Sequence, residues 1–209
     1  LIAEKAIEFI RSSADSDQPF FLYVPFNAPH YPMHAPQKYM DRFPDLPWDR
    51  QVMAAMVSAV DDAISQIQDE LERQGMKENT LSFFMSDNGP SRESRNWLDG
   101  SQDPYYGGNS GGLKGHKFSL FDGGIKVPGI IHWPERINGG QVLSTPAAAM
   151  DIVPTVLDAV RADSTNYELD GTSLLNLLVD GESLVERSIF WEMDGQTVVR
   201  KGNWKLVLN

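Results

Sequence analysis

Apolar residues recur along the first part of the chain with two different periods. Over residues 2–12 they lie three or four positions apart, which is typical of an amphipathic helix. A longer stripe with the same period predicts a helix over residues 48–74, ending at Gly75. The continuous apolar runs 20–24 and 81–85 instead predict short strands buried on both faces.

The pattern changes in the later part of the chain. Residues 127–133 predict a third strand, and residues 147–160 predict a helix with Pro154 in its first turn or at a bend. From residue 187 onward, three short apolar runs separated by glycine-containing turns predict an antiparallel meander. We therefore predict an α/β fold with a mixed, mostly parallel sheet flanked by helices over residues 1–170, and the start of a small antiparallel subdomain over residues 171–209.

Composition narrows the functional classes. The chain has 209 residues with 41% hydrophobic content, enough for one domain or for a domain with a small addition. A formal net charge of -11 argues against a nucleic-acid partner, because such binding needs clustered Lys and Arg. The absence of cysteine excludes disulfides and thiolate chemistry within these residues. No apolar run reaches the roughly 18 residues of a transmembrane helix.

Asp87 and Asn88 come directly after the predicted strand 81–85. Ligands of open α/β sheets bind beyond the carboxyl ends of the strands. Carboxylate and amide oxygens suit Ca²⁺ or Mg²⁺ better than zinc. Asp-Asn-Gly is also an ordinary turn sequence, so a metal site and a plain turn both remain open on this tripeptide.

Lys117 and His30 are candidates for contact with an anionic substrate. Lys117 lies on a glycine-bracketed loop, where backbone can approach an anion closely and an ammonium can neutralise an oxyanion. His30 follows the apolar run 20–24 and can donate a proton to a leaving group. A solvated lysine and a structural histidine are the plainer alternatives, but these residues and Asp87 are all expected at one rim of the sheet.

The long loop from residue 87 to about residue 124 is a candidate substrate-binding segment, because loops of this length are usually functional or disordered. Aromatic residues in it, including Trp97, favour order and can stack on a pyranose ring, although a structural loop explains them nearly as well. The candidate substrate-binding residues in and around this region are His34, Arg92, Arg95, Trp97 and His116.

An ordered set of motifs resembles the second half of a type I, formylglycine-dependent sulfatase of the alkaline phosphatase superfamily. The motifs are residues 19–23, 30–32, 86–89, Lys117 and 121–128, followed by 150–155 and 201–206. The resemblance covers nearly the whole chain. It implies an alkaline-phosphatase-like fold, of which the chain would be the C-terminal half of the catalytic domain.

The resemblance also implies roles for four residues. Asp87 and Asn88 match two ligands of the active-site Ca²⁺, with Mg²⁺ as the lesser alternative. Lys117 matches the lysine that contacts the sulfate and the leaving-group oxygen, and His30 matches a histidine that assists from the same side. The implied activity is hydrolysis of a sulfate ester on a small molecule or a glycan. Members of the family reside in the periplasm, outside the cell or in lysosomes.

The sequence departs from the family pattern at its start. The family makes its formylglycine nucleophile in a Cys/Ser-x-Pro-x-Arg motif, and neither this motif nor the family's early aspartate pair occurs here. Asp61 and Asp62 are no substitute, because they fall within the predicted helix 48–74. We expect the N-terminal half of the same polypeptide to supply these groups and the chain alone to be inactive. A phosphate or phosphonate monoester hydrolase and a non-catalytic binding protein with this fold remain the alternatives.

Overall fold

The computed structural model describes residues 1–16, 18–93 and 107–208. The chain forms two compact units. The first unit comprises residues 1–78 and 86–127, and the second comprises residues 79–85 and 128–209. None of the described helices combines the length and the apolar character needed to cross a bilayer.

The first unit is helical. Its helices are α1 (Ile2–Ser13), α2 (Gln37–Met40), α3 (Trp48–Arg73) and α4 (Asp122–Ile125). The buried side chains of α1 lie one turn apart, at Ala6 and Ile10, and α1 packs against α3. The helices predicted over residues 2–12 and 48–74 are thereby confirmed to within one residue at their ends, because their apolar stripes pack against each other.

An ion pair with a buried carboxylate also joins α1 to α3. The Glu70 side chain is 1% exposed, and its oxygens accept bonds from Arg11 Nε at 2.9 Å and from Arg11 Nη2 at 3.0 Å. Gln74 Nε2 donates to the same carboxylate at 2.7 Å, and Arg73 also contacts it. The hydrogen bonds from Arg11 and Gln74, supported by the two guanidinium charges, lower the pKa of Glu70 to about 2.

The ion pair of Glu70 makes the stability of the folded chain decrease as the pH falls. A lowered pKa stabilises the folded state above the ordinary pKa of 4.5, and that stabilisation is lost as the pH falls toward about 2. We expect the melting temperature of the protein to fall more steeply between pH 5 and pH 2.5 than that of Glu70→Gln. The matched control is Glu72→Gln, which removes the exposed pair that this residue of α3 makes with Lys77 beyond the helix end. Parallel pH profiles for the protein and Glu70→Gln would contradict the assignment.

The predicted strand over residues 20–24 is wrong. The segment forms no regular element and joins no ladder in the described part of the chain. Phe21 is 70% exposed and Tyr23 is 76% exposed, whereas Leu22 and Val24 are half-buried. An apolar run becomes a buried strand only where neighbouring strands take up its backbone hydrogen bonds and other elements cover its faces. In the described part of the chain no strand pairs with this run, and only its Leu22 and Val24 side is partly covered.

The loop that follows this segment packs on α3. Met33 is buried against Val52 and Met56 of α3, and Ala28 and Tyr31 pack against the same cluster. His30 therefore lies on a loop whose neighbouring side chains are held by the first unit's apolar core.

The second unit begins with a two-stranded antiparallel sheet. Strand β1 (Ser82–Met85) pairs with β2 (Gly129–His132), with Phe84 opposite Ile130. Both side chains are exposed, at 44% and 60%. The two strands occur where they were predicted, but burial of 81–85 on both faces is wrong, because within the second unit a two-stranded ladder leaves these side chains uncovered.

The remainder of the second unit ends in the predicted meander. A 3₁₀ turn (Ala149–Asp151) leads into α5 (Ile152–Ala159), which has Pro154 in its first turn, and α6 (Leu175–Val179) follows. Strands β3 (Ser188–Met193), β4 (Gln196–Lys201) and β5 (Trp204–Leu208) form an antiparallel sheet in that order. Asp194 and Gly195 both have left-handed φ, as a two-residue hairpin loop requires. The small antiparallel C-terminal sheet is confirmed, and the boundary at residues 170 and 171 stays a prediction.

A fully buried carboxylate organises the second unit. Asp151 is 0% exposed and is bound by both terminal nitrogens of Arg187, one of them at 2.7 Å from Oδ1. The backbone N–H groups of Thr172 and Ala148 donate to it at 2.9 and 2.8 Å. Burial alone raises the pKa of Asp151, but the Arg187 guanidinium and the two N–H groups outweigh it and hold that pKa below its usual range.

Candidate active site

The turn that carries Asp87 and Asn88 is held by its own side chains. The Ser86 hydroxyl donates to the carbonyl of Asn88 at 2.9 Å, and the Asn88 N–H donates to Asp87 Oδ1 at 2.9 Å. Asn88 Nδ2 donates to the carbonyl of Gly89 at 2.9 Å. With the amide nitrogen used in this way, the side-chain oxygen of Asn88 is left as its acceptor atom. Asp87 is exposed and Asn88 is half-buried.

Glycines bring this turn against the loop that carries Lys117. Gly89 N–H donates to the carbonyl of Gly124 at 2.8 Å, and a Cβ on Gly89 would lie 1.8 Å from the carbonyl oxygen of Gly123. The Lys117 N–H donates to the carbonyl of Pro90 at 2.9 Å. Because these contacts are between backbones, the separation of the Asp87 turn and the Lys117 loop does not depend on flexible side chains.

Lys117 and His30 meet across 87 positions of sequence. Lys117 Nζ lies 3.0 Å from His30 Nε2, and His30 Nδ1 lies 3.2 Å from the carbonyl oxygen of Tyr31. A neutral imidazole with its proton on Nδ1 satisfies both contacts, since Nδ1 then donates to Tyr31 and Nε2 accepts from the ammonium. The Lys117 side chain is 18% exposed. The structure thus brings together the two residues that the sequence predicts to contact an anion.

Glu93 belongs to the same cluster, and the sequence analysis missed it. Glu93 Oε1 lies 3.9 Å from Lys117 Nζ and accepts a hydrogen bond from the Ser91 hydroxyl at 2.9 Å. Burial and the nearby Glu93 charge raise the pKa of Tyr31. A single carboxylate in a polar loop carries no periodic or motif signal, so only the folded chain reveals this placement.

The other two histidines predicted to bind substrate do not share the position of His30 beside Lys117. His116 is half-buried, and its Nδ1 contacts the carbonyl of Lys117, the next residue. His34 is exposed, and its recorded hydrogen bond joins Nδ1 to the carbonyl of Pro32 at 3.2 Å. In the described part of the chain, neither ring hydrogen-bonds to the Lys117 ammonium.

A cavity of about 400 Å³ lies in the same unit. Its lining consists of Pro90, Ser91, Arg92, Gly108, Asn109, Ser110, Gly112, Leu113 and Gly115. Ser91 faces this cavity and also binds Glu93, so the cavity and the Lys117 cluster share a residue. The volume is in the range of small-molecule sites, about 300–1,000 Å³. The other two predicted contacts in this loop, Arg95 and Trp97, lie outside the described residues.

The side-chain oxygens of Asp87 and Asn88 suit a hard cation, but two ligands are too few for a complete site. Ca²⁺ takes about 6–8 oxygen ligands, of which this turn offers a carboxylate and an amide oxygen. Across residues 1–16, 18–93 and 107–208, no group of three or more His, Cys, Asp or Glu is placed to hold a metal ion. These two residues can therefore form only part of a ligand set.

The chain belongs to the sulfatase family, whose family model matches residues 1–162. It is 30% identical to rat (Rattus norvegicus) N-acetylgalactosamine-6-sulfatase over 91% of this chain and 34% of that protein. It is 30% identical to human (Homo sapiens) arylsulfatase A over 96% of this chain and 38% of that protein. The chain thus spans about a third of the length of these curated relatives.

Solved sulfatase structures share the fold. The Ps i-CgsB structure in complex with k-i-k-neocarrahexaose superposes with a TM-score of 0.84 at 30% identity, covering 99% of this chain and 45% of that one. The PsFucS1 sulfatase from Pseudoalteromonas sp. superposes with a TM-score of 0.72 at 24% identity, covering 99% and 43%. The predicted alkaline-phosphatase-like fold class is confirmed. Sulfatases of this family are generally formylglycine- and metal-dependent.

Proposed function

We propose that the protein to which this chain belongs is a sulfuric ester hydrolase. The observation that carries the proposal is the contact of 3.0 Å between Lys117 Nζ and His30 Nε2, on a loop that is bonded through Pro90 to the Asp87 turn. A cationic group positioned by an imidazole and lying beside two oxygen ligands suits the hydrolysis of an anionic ester.

In this proposal each residue acts through a specific atom. The Lys117 ammonium binds the sulfate oxygens and stabilises the negative charge that grows on the leaving-group oxygen. His30 keeps its Nδ1 proton on the Tyr31 carbonyl, so its Nε2 accepts a hydrogen bond from the Lys117 ammonium and orients it toward the ester. The Asp87 carboxylate and the Asn88 side-chain oxygen would hold Ca²⁺. When bound, Ca²⁺ supplies further electrostatic stabilisation of the anionic ester.

The nucleophile and the other metal ligands come, in this proposal, from the N-terminal part of the same polypeptide. The chain contains no cysteine and no Cys/Ser-x-Pro-x-Arg segment from which formylglycine is made. The curated relatives are nearly three times as long as the region that this chain matches. The chain alone is accordingly expected to be inactive.

A sulfated carbohydrate is the proposed substrate class. The cavity of about 400 Å³ offers polar groups from Ser91, Arg92 and Asn109 at a size that accommodates a sugar ring. Ps i-CgsB, which is 30% identical to this chain, has been solved in complex with k-i-k-neocarrahexaose. The name of the rat relative likewise denotes a sulfatase acting on an amino sugar.

The proposal is tested with the full-length protein on matched aryl esters. We expect sulfate release from an aryl sulfate to exceed phosphate release from the matching aryl phosphate. Chelation should abolish turnover, and Ca²⁺ should restore it better than Mg²⁺. Residues 1–209 alone serve as the inactive control. Faster phosphate hydrolysis would support the phosphatase alternative, and Ca²⁺ binding without any turnover would support a binding protein.

A further inference from the structure

We propose that Glu93 is a specificity-determining residue that selects sulfate esters flanked by a neutral hydroxyl or amide and disfavours those flanked by a second anionic group. The inference rests on the proposed function, because it takes Lys117 as the group that binds the ester. It narrows the proposed substrates from sulfated sugars in general to sugars that carry a sulfate at the reacting position and a neutral group at the adjacent position.

The position of Glu93 relative to Lys117 is the first step. With 3.9 Å between Glu93 Oε1 and Lys117 Nζ, an ester anion that contacts the ammonium lies close to the Glu93 carboxylate. Substituents on adjacent ring carbons of a sugar are also close to one another. A second sulfate or a carboxylate beside the ester would therefore approach a fixed negative charge, and like charges at this range repel.

The second step is that Glu93 is held in place. The Ser91 hydroxyl donates to its Oε1, and the side chains of Glu93 and Lys117 are only 28% and 18% exposed. Charges that are partly withdrawn from water are screened less by salt than exposed ones. The repulsion is consequently stronger than that of an ordinary surface glutamate.

The third step concerns the hydrogen-bond donors that the Glu93 carboxylate can accept from. An ionised carboxylate is an acceptor only, with about four lone-pair sites, so one bond from Ser91 leaves capacity for a further donor. A sugar hydroxyl or an amide N–H supplies such a donor, and an anionic substituent does not. A site built to pair with a substrate hydroxyl discriminates strongly against a substrate that lacks it.

Ser91 lies between Glu93 and the cavity proposed to bind the sugar. Its side chain bonds to Glu93, and the residue also lines the cavity of about 400 Å³. A sugar ring in that cavity would place its neighbouring substituent beside the Ser91 and Glu93 pair.

The test compares Glu93→Gln with the unmodified full-length protein. The substrates are the galactose monosulfates, each matched with the disulfate that carries its second sulfate at a neighbouring position. We expect the kcat/KM ratio of disulfate to monosulfate to rise about tenfold or more in Glu93→Gln, mainly through KM. Any general effect of the lost charge on Lys117 acts on both substrates and cancels in the ratio. Glu78→Gln, an exposed glutamate of the same unit, should leave the ratio unchanged.

A second variant and a binding measurement complete the test. Glu93→Asp keeps the charge and should retain the discrimination against the disulfate. An unchanged ratio in Glu93→Gln overturns the inference. If the unmodified protein turns over no aryl sulfate, the proposed function fails separately, and calorimetric Kd values for the same sugar pairs decide the role of Glu93. A Kd ratio that shifts about tenfold supports selection at the binding step, and an unchanged ratio or no binding overturns it.

Discussion

Replacing Lys117 with methionine is expected to lower kcat/KM of the full-length protein for an aryl sulfate by about 10²–10³-fold, the usual effect of removing one group that stabilises a developing oxyanion. Methionine is close to the lysine stem in length and shape, so the loop should keep its packing. The Lys117 N–H bond to Pro90 is a backbone contact and is not affected by the substitution.

The measurement is steady-state kinetics, with the melting temperature recorded for each variant. Because Lys117 acts on charge that grows during the reaction, kcat should fall by more than KM rises. Lys126→Met is the matched control, since it removes an exposed lysine nine positions away and should change neither constant by more than about twofold. A Lys117→Met protein that keeps more than a tenth of the activity would remove Lys117 from the proposed role.

Replacing Asp151 with asparagine should have the largest effect on stability. The substitution leaves the Arg187 guanidinium, 20% exposed, facing a neutral group in a site where the carboxylate is 0% exposed. Breaking a buried ion pair from one side costs about 3–5 kcal/mol. At about 2–4 °C per kcal/mol for a protein of 150–250 residues, the melting temperature should fall by about 6 °C or more.

A double-mutant cycle separates the pair from the bonds that Asp151 makes to backbone. Arg187→Gln should also destabilise the protein, and the double variant Asp151→Asn/Arg187→Gln should lose less than the sum of the two single losses. The exposed Asp180→Asn is the control, with an expected shift within about 1 °C. Strictly additive losses would show that the two side chains stabilise the protein independently of each other.

The site was predictable where its residues lie in recognisable local patterns. Asp87 and Asn88 follow an apolar run, and Lys117 lies among glycines, so local sequence marks each of them. Glu93 lies within 3.9 Å of the same lysine but has no such mark, because its role depends on which side chain it faces after folding. The metal-ligand and catalytic roles of the marked residues remain predictions.

The helices and strands were likewise predictable only where a local sequence pattern marks them. The helices α1 and α3 and the meander β3–β5 were predicted because their apolar periods encode the face that each element buries. The run at residues 20–24 was predicted as a buried strand and is not one, since an apolar run has no period that separates a strand from an uncovered extended segment. Burial of such a run depends on neighbours that its own residues do not specify.

The sequence by itself determined the periodic helices, the hairpin turns, the family and the residue types available for anion and metal binding. The tertiary structure alone decided which of these residues meet. Lys117 reaches His30 across 87 positions, and Asp151 reaches Arg187 across 36 positions. The physical reason is that periodicity and turn chemistry act between near neighbours in the chain, whereas these pairs form only when packing brings distant segments to the same place.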